Sequence, residues 1–289
     1  MANSATAGAA AALAAALSWG GGDFSGGMGS KSAGGTTSAA LLIVIASNAL
    51  SLVALALICW LTHAPYPHGM PLLWGLIAGM LAGVSVAAFY QALSRGSMGP
   101  SAAVSALLAA VLPAAVSALL DGAPHLLQLV GFLIACGAIW TIAAGENTPD
   151  APGTMRLAVL SGAGFGLYFT ALRLANPLGV FEPLALARAA SLVTCTTLWI
   201  AVRRGQSHTT RFSSTTWRWI ASVAVLDTIG NLCLIWSTRL GRLDVAAVLG
   251  SLYPAGTILL AAWRLHERPS RRQKIGMGLA VLAVGLIAF

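Results

Sequence analysis

The chain has 289 residues, 57% of them hydrophobic and only 8% charged, with a formal net charge of +8. An ordinary soluble domain carries roughly 25% charged residues, and a single water-borne core stops growing near about 250–300 residues, so apolar stretches recurring along the whole length require lipid as the solvent. The basic residues concentrate between Arg203 and Arg218 and between Arg264 and Lys274, among apolar runs and without aromatic interleaving on a polar face; they read as loops facing anionic headgroups, not as a nucleic-acid surface.

Runs long enough to cross a hydrocarbon core, about 20 residues each, fall at 7–27, 38–62, 71–94, 100–120, 124–144, 155–175, 181–202, 216–238, 244–263 and 272–289. The first is alanine-rich from Ala5 to Leu17, follows no basic segment and continues into Ser18-Trp19-Gly20, so it reads as a retained helix, not a cleaved signal. Short turn-rich connectors separate the runs, among them His63 to Gly69, Arg95 to Gly99, Asp121 to Pro124 and Asn176 to Gly179. Such connectors make consecutive helices pack antiparallel. The expected fold class is all-α, a polytopic membrane bundle of ten transmembrane helices.

One connector looks like a boundary between halves: Glu146 to Gly153, polar and proline-rich just past the midpoint. It divides the chain into a first five-helix repeat at 1–145, a linker at 146–154 and a second repeat at 155–289. At an offset of 144, Gly20 and Gly22 fall on Gly164 and Gly166, Arg95 on Arg239, and Ala102-Ala103-Val104 on Ala246-Ala247-Val248. At 145, Pro124, Gly131 and Ala135 fall on Pro269, Gly276 and Ala280. An odd number of spans per repeat inserts the two halves with opposite orientation, the inverted repeat of secondary transporters.

Loop charge sets the expected orientation. Connectors after odd-numbered spans hold Lys31, Arg95, Arg156, Arg203, Arg204, Arg211, Arg218, Arg264, Arg268, Arg271, Arg272 and Lys274, while the other side holds Arg173, Arg239 and Arg242. This bias places both termini on the periplasmic side. Arginine outnumbers lysine 14 to 2 in a chain rich in alanine and glycine, the usage of a GC-rich bacterium, so the expected setting is a bacterial inner membrane.

Ionisable residues within spans are expensive and are functional candidates by default. Asp227 lies mid-way along the eighth span and shares a helical face with Asn231, four residues on. Asp23 follows Trp19 by four residues in a glycine-rich segment where backbone can approach a ligand closely. Arg188 lies about two turns into the seventh span, after Glu182, as a structural or substrate-anchoring charge; guanidinium does not give up its proton. A carboxylate in a poorly solvated bundle is a candidate for proton exchange, so Asp227 and Asp23 are the coupling candidates; an ion pair between Asp227 and Arg188 would instead make Asp227 a fixed structural charge. Gln91, Tyr168 and Tyr253 add polar tips among apolar walls. Pro113 and Pro254 each remove an intrahelical hydrogen bond, freeing the carbonyls of Ala109 and Gly250, and are helix-break candidates with a packed kink as the alternative. The glycines of the first and sixth spans allow close helix packing.

No enzyme constellation competes. Cys59, Cys136, Cys195 and Cys233 each sit in a different apolar run, without zinc-site spacing, and the histidines His63, His68, His125, His208 and His266 lie in or beside connectors. Gly20-Gly21-Gly22 lacks the strand before it and the Gly-Lys-Ser/Thr after it that a phosphate loop requires. No cofactor, metal or nucleotide-driven pumping is expected.

Three stretches resemble a known family: Trp19-Gly20 through Phe24; Phe89-Tyr90-Gln91-Ala92-Leu93 leading into Ser101-Ala102-Ala103; and Leu252-Tyr253-Pro254 through His266-Glu267-Arg268-Pro269 to Gly276. Their order and spacing resemble the drug/metabolite transporter superfamily, and within it the EamA-type ten-helix members. The resemblance implies two five-helix repeats around a central cavity, spans five and ten at the periphery, and export or uptake of amino acids, metabolites or drug-like compounds. Two departures stand out. Many members carry basic termini and are drawn with them in the cytoplasm, whereas neither end here has a lysine or arginine, and the first repeat has Asp121-Gly122 where the second has Glu267-Arg268. The function expected is a secondary transporter of small organic solutes, an exporter of amino acids or related metabolites, with proton coupling. Its partners are a small-molecule substrate and membrane lipid, and it acts as a monomer or homodimer. The rivals are an uncoupled facilitative carrier, a multidrug exporter, and a non-transporting scaffold or intramembrane enzyme.

Overall fold

The computed structural model describes residues 2–34, 36–64, 67–95, 98–143, 153–203, 212–264 and 270–288, apart from some helical side chains, Gln91 among them. The helices are α1 (Ala2–Ser32), α2 (Thr37–Leu61), α3 (Gly69–Arg95), α4 (Met98–Leu120), α5 (Leu126–Ala143), α6 (Thr154–Leu174), α7 (Phe181–Arg203), α8 (Ser214–Leu240), α9 (Leu243–Gly250), α10 (Tyr253–Arg264) and α11 (Arg271–Ala288), with a 3-10 turn at Asn176–Leu178 before α7. Each apolar run became helix, as it must where no water can satisfy a backbone group. Among the described residues, five helices, α2, α3, α6, α7 and α8, are long and apolar enough by themselves to cross a membrane.

Local signals set the helix ends. Thr36 Oγ1 accepts the Ala39 amide at 3.1 Å and Ser213 Oγ the Thr216 amide at 3.1 Å, each supplying an acceptor to the open first turn. Before α11, the Ser270 amide donates to Gln273 Oε1 at 2.8 Å and the Gln273 amide to Ser270 Oγ at 3.2 Å, a reciprocal capping box. His63, with φ +51°, turns the chain out of α2.

The two prolines behave differently. The ninth run divides at Ser251-Leu252, leaving Pro254 in the first turn of α10 where its missing N–H has no partner to lose. The bend is satisfied from Ser251 N to Ala247 O (2.9 Å) and from Leu252 N to Leu249 O (3.2 Å). Pro113, also expected as a break candidate, interrupts no helix: α4 runs unbroken through it. A single lost bond does not end a helix whose neighbour supports it, and an added Cβ at Gly166 of α6 would meet Pro113 Cδ at 3.2 Å and Leu108 O at 3.0 Å. Pro113 therefore sits inside a continuous α4, and Ala109, whose carbonyl it frees, borders the cavity described below.

Helix α1 packs against α8, α3 against α6, α2 against α7, and α5 against α11; α4 packs against α6, and α1 against α9 and α10. Glycines bring backbones together: a Cβ at Gly79 would lie 2.2 Å from Ala187 O, and one at Gly162 would lie 2.5 Å from Ser105 O. At one end of the bundle Ser237 Oγ donates to Gly8 O at 2.7 Å; at the other Ser32 and Thr216 hydroxyls meet at 3.0 Å, so α1 and α8 are antiparallel. The exterior is apolar, with Trp60 73%, Leu119 86% and Trp263 74% exposed, while Arg188 inside is only 8% exposed. Apolar outside and charged inside is the arrangement lipid selects.

Candidate functional site

The charges bound by this apolar shell converge. Asp227 is the central residue of the 27-residue α8. Its Oδ2 pairs with Arg188 Nη2 from α7, and its Oδ1 accepts Asn231 Nδ2 at 3.2 Å. Arg188 Nη1 donates to Asn48 Oδ1 of α2 at 3.0 Å, and Asn48 Nδ2 donates to Ser191 Oγ at 3.0 Å. Tyr168 of α6 donates its hydroxyl to Asn231 Oδ1. The network thus ties four helices, α2 from the first half of the chain through Asn48 and α6, α7 and α8 from the second.

These residues border a cavity of about 120 Å³ lined from α1, α2, α3, α4, α6, α7, α8 and α10. Its walls are mostly aromatic and aliphatic, including Phe89, Phe165 and Phe169, with Asp23, Ser47, Asn48, Arg188, Ser191, Asp227 and Asn231 as polar lining. Among the described residues, helices α5 and α11 supply none of the lining. Trp19 stacks on Phe169 with ring centroids 5.3 Å apart and planes at 10°. Its indole presses on Gly230, where a Cβ would lie 2.7 Å from Cδ1 and Nε1. It is therefore a fixed wall, not a mobile side chain.

A second polar cluster closes one end of the bundle. Arg242, between α8 and α9, donates to Asp121 O at 3.0 Å and Gly122 O at 2.6 Å, and grips the fully buried Asp244 at 2.7 Å. Charge-assisted hydrogen bonding to Asp244 raises the Arg242 guanidinium above its ordinary range. Nearby, Arg173 reaches Asp121 at 3.7 Å and donates to Thr238 O, and Arg239 donates to Asn176 O at 2.8 Å. The connectors α4–α5, α6–α7 and α8–α9 are thereby fastened together.

Residues 154–289 match the EamA-like transporter family. The similarity covers 136 of the 289 residues. Twenty-nine solved chains match; one of them, a crystal structure described only as that of a protein, is 17% identical, with a TM-score of 0.73 over 97% of each chain, a likeness of fold. No curated protein matches. The second half of the chain is thus similar to a family of transporters, in line with the resemblance read from the sequence, and the apolar helices make the protein a multi-pass membrane protein.

The structure gathers most of the residues singled out in the sequence. Trp19, Asp23, Tyr168, Arg188, Asp227, Asn231 and Tyr253 all border the one cavity. Pro254 follows Tyr253 directly, whereas Pro113 packs on Gly166 away from the named lining. The Gln91 side chain and the stretch His266 to Pro269 lie outside the described residues. Sequence reading missed Asn48, Ser47 and Ser191. An asparagine in the middle of an otherwise apolar run was a usable signal, and attention to ionisable residues alone passed over it.

Proposed function

We propose that this protein is a secondary transporter of small organic solutes that exports amino acids or related metabolites, with the central cavity as its substrate site. The observation that carries this reading is the cavity itself: a mostly apolar space at mid-helix depth with charged and polar groups on its wall, bordered by eight helices from both halves of an apolar bundle. At about 10–15 Å³ per water, its volume suits a solute of metabolite size. The pairing of helices supports an inverted repeat of five spans each, 1–145 and 155–289: exchanging each helix of one half for its counterpart turns α1–α8 into α6–α3 and returns α2–α7 and α5–α11 to themselves. The loop charges support a bacterial inner membrane setting with both termini periplasmic.

Coupling falls to Asp23. Asp227 has Arg188 as its counter-ion and reads as a fixed charge of the framework, whereas no hydrogen bond or ion pair reaches Asp23 among the described residues. Asp227, Arg188, Tyr168 and Tyr253 are the other titratable groups on the same cavity. The polar clasp around Arg242 suits a closed periplasmic side, leaving access to the cavity from the basic, cytoplasmic side. A thermal-shift screen of purified protein against metabolites tests the site: a stabilising solute should lose its effect on narrowing the cavity with Ser191→Phe. A panel in which no solute stabilises the protein counts against a substrate cavity.

A further inference from the structure

We propose that the cavity takes an organic ammonium ion, a protonated amine on a small apolar body without a carboxylate, seated with its nitrogen on Asp23. The proposal rests on the cavity being the transport site and narrows its substrate, within the metabolites proposed above, to amines in place of zwitterionic amino acids.

The first argument is a charge count. The cavity is bordered by two carboxylates, Asp23 and Asp227, and one guanidinium, Arg188, so with all three ionised its formal charge is −1. Arg188 is already engaged, by Asp227 through Nη2 and by Asn48 Oδ1 at 3.0 Å through Nη1. Its Nε is buried and sealed from the cavity surface. The one guanidinium in the described lining already has its counter-ion in Asp227, so an anionic or zwitterionic solute would meet the uncompensated negative charge of Asp23.

The second argument is what surrounds Asp23. Helices α1 and α8 pack side by side next to Asp23, an added Cβ at Gly22 lying in ordinary contact 3.7 Å from Asp227 N. The second carboxylate thus borders the same space and deepens the attraction for a cation, the more so in a water-poor interior. The same cavity is also walled by rings, among them Trp19 one helical turn before Asp23, Tyr253, Phe89 and Phe165. Ring faces attract organic cations within about 6 Å and cover an apolar body at the same time. An inorganic cation is not matched. Calcium takes six to eight oxygen ligands and magnesium a near-ideal octahedron, and the described lining offers one unpaired carboxylate among aromatic and aliphatic walls.

Three probes that share a phenyl body and differ in charge test the assignment on the full-length, detergent-purified protein by titration calorimetry: phenethylamine, phenethyl alcohol and 3-phenylpropionate. Phenethylammonium should bind at least about tenfold more tightly than the other two. Asp23→Asn should erase that preference and Asp23→Glu should keep it. Equal or tighter binding of 3-phenylpropionate overturns the proposal, as does undiminished phenethylammonium binding by Asp23→Asn or the absence of phenethylammonium binding to the wild type. The wild-type comparison decides even if a variant fails to fold. Transport of some other solute by liposomes in which phenethylammonium does not bind would sink the ammonium assignment and leave the transport reading standing; tight phenethylammonium binding with no solute moved would do the reverse.

Discussion

Replacing Asp227 with asparagine isolates the ion pair at the centre of the bundle. The substitution preserves shape and the hydrogen bond with Asn231 but leaves Arg188, 8% exposed, with only Asn48 as a described partner. Breaking a fully buried pair by removing one charge costs about 3–5 kcal/mol. The Asp227 side chain keeps 34% exposure, on the cavity side, and water there screens part of the loss, so about 2 kcal/mol is expected. With roughly 2–4 °C of melting temperature per kcal/mol in a chain of this order, Asp227→Asn should melt about 4–8 °C below wild type when followed by tryptophan fluorescence in detergent. Removing both charges should recover most of that, because replacing a buried pair by apolar residues of similar volume is often neutral. The combined variant Arg188→Met with Asp227→Leu is the test. Melting of Asp227→Asn within about 1 °C of wild type would refute the framework role of the pair.

Three further predictions follow from packing and charge. Gly79→Ala would place a Cβ 2.2 Å from Ala187 O and 2.6 Å from Ala190 Cβ, so α3 and α7 must separate at a cost of about 1–3 kcal/mol or more, whereas Gly137→Ala, with nothing within 4 Å, should be neutral or slightly stabilising; equal melting of the two variants would contradict the contact. Pro254→Ala should slow transport more than it lowers the melting temperature, since an N–H restored at that position favours a straighter, stiffer α9–α10 junction; an unchanged transport rate would make Pro254 a packing feature only. A C-terminal alkaline phosphatase fusion should be active and a C-terminal GFP fusion dark, and the opposite pair of results would mean that the twelve-to-three bias in basic residues does not set the topology here.

Most of the helical plan was legible because lipid leaves the backbone one solution, so each apolar run of spanning length had to be helix. Pro254 signalled the split of the ninth run, yet the break falls at Ser251-Leu252, since a proline is best placed just inside a new helix. Pro113 gave the same signal in sequence and lies within a continuous α4, packed close to Gly166 of α6. Asp227 and Asn231 could be placed on one face from their spacing alone. That Arg188 rather than solvent answers Asp227 required the three-dimensional packing of α7 on α8, although the pairing was a visible alternative. Phe165 and Phe169 were invisible as cavity walls, because an aromatic ring in an apolar run looks the same whether it faces lipid or a substrate. The clasp of Arg242 on Asp121, Gly122 and Asp244 joins connectors 120 residues apart, and no local pattern announces it.

The central claim is that solute crosses the membrane through this cavity under a proton gradient. Purified protein in liposomes, with an imposed pH gradient and a panel of labelled amines and amino acids, tests it most directly. The account predicts accumulation of at least one solute above protein-free liposomes, collapse of that accumulation on adding an uncoupler, and its loss in Asp23→Asn with Asp227 intact. Accumulation that survives the uncoupler, or gradient-driven transport that Asp23→Asn leaves unchanged, would contradict the coupling; a panel in which no solute moves would contradict transport itself.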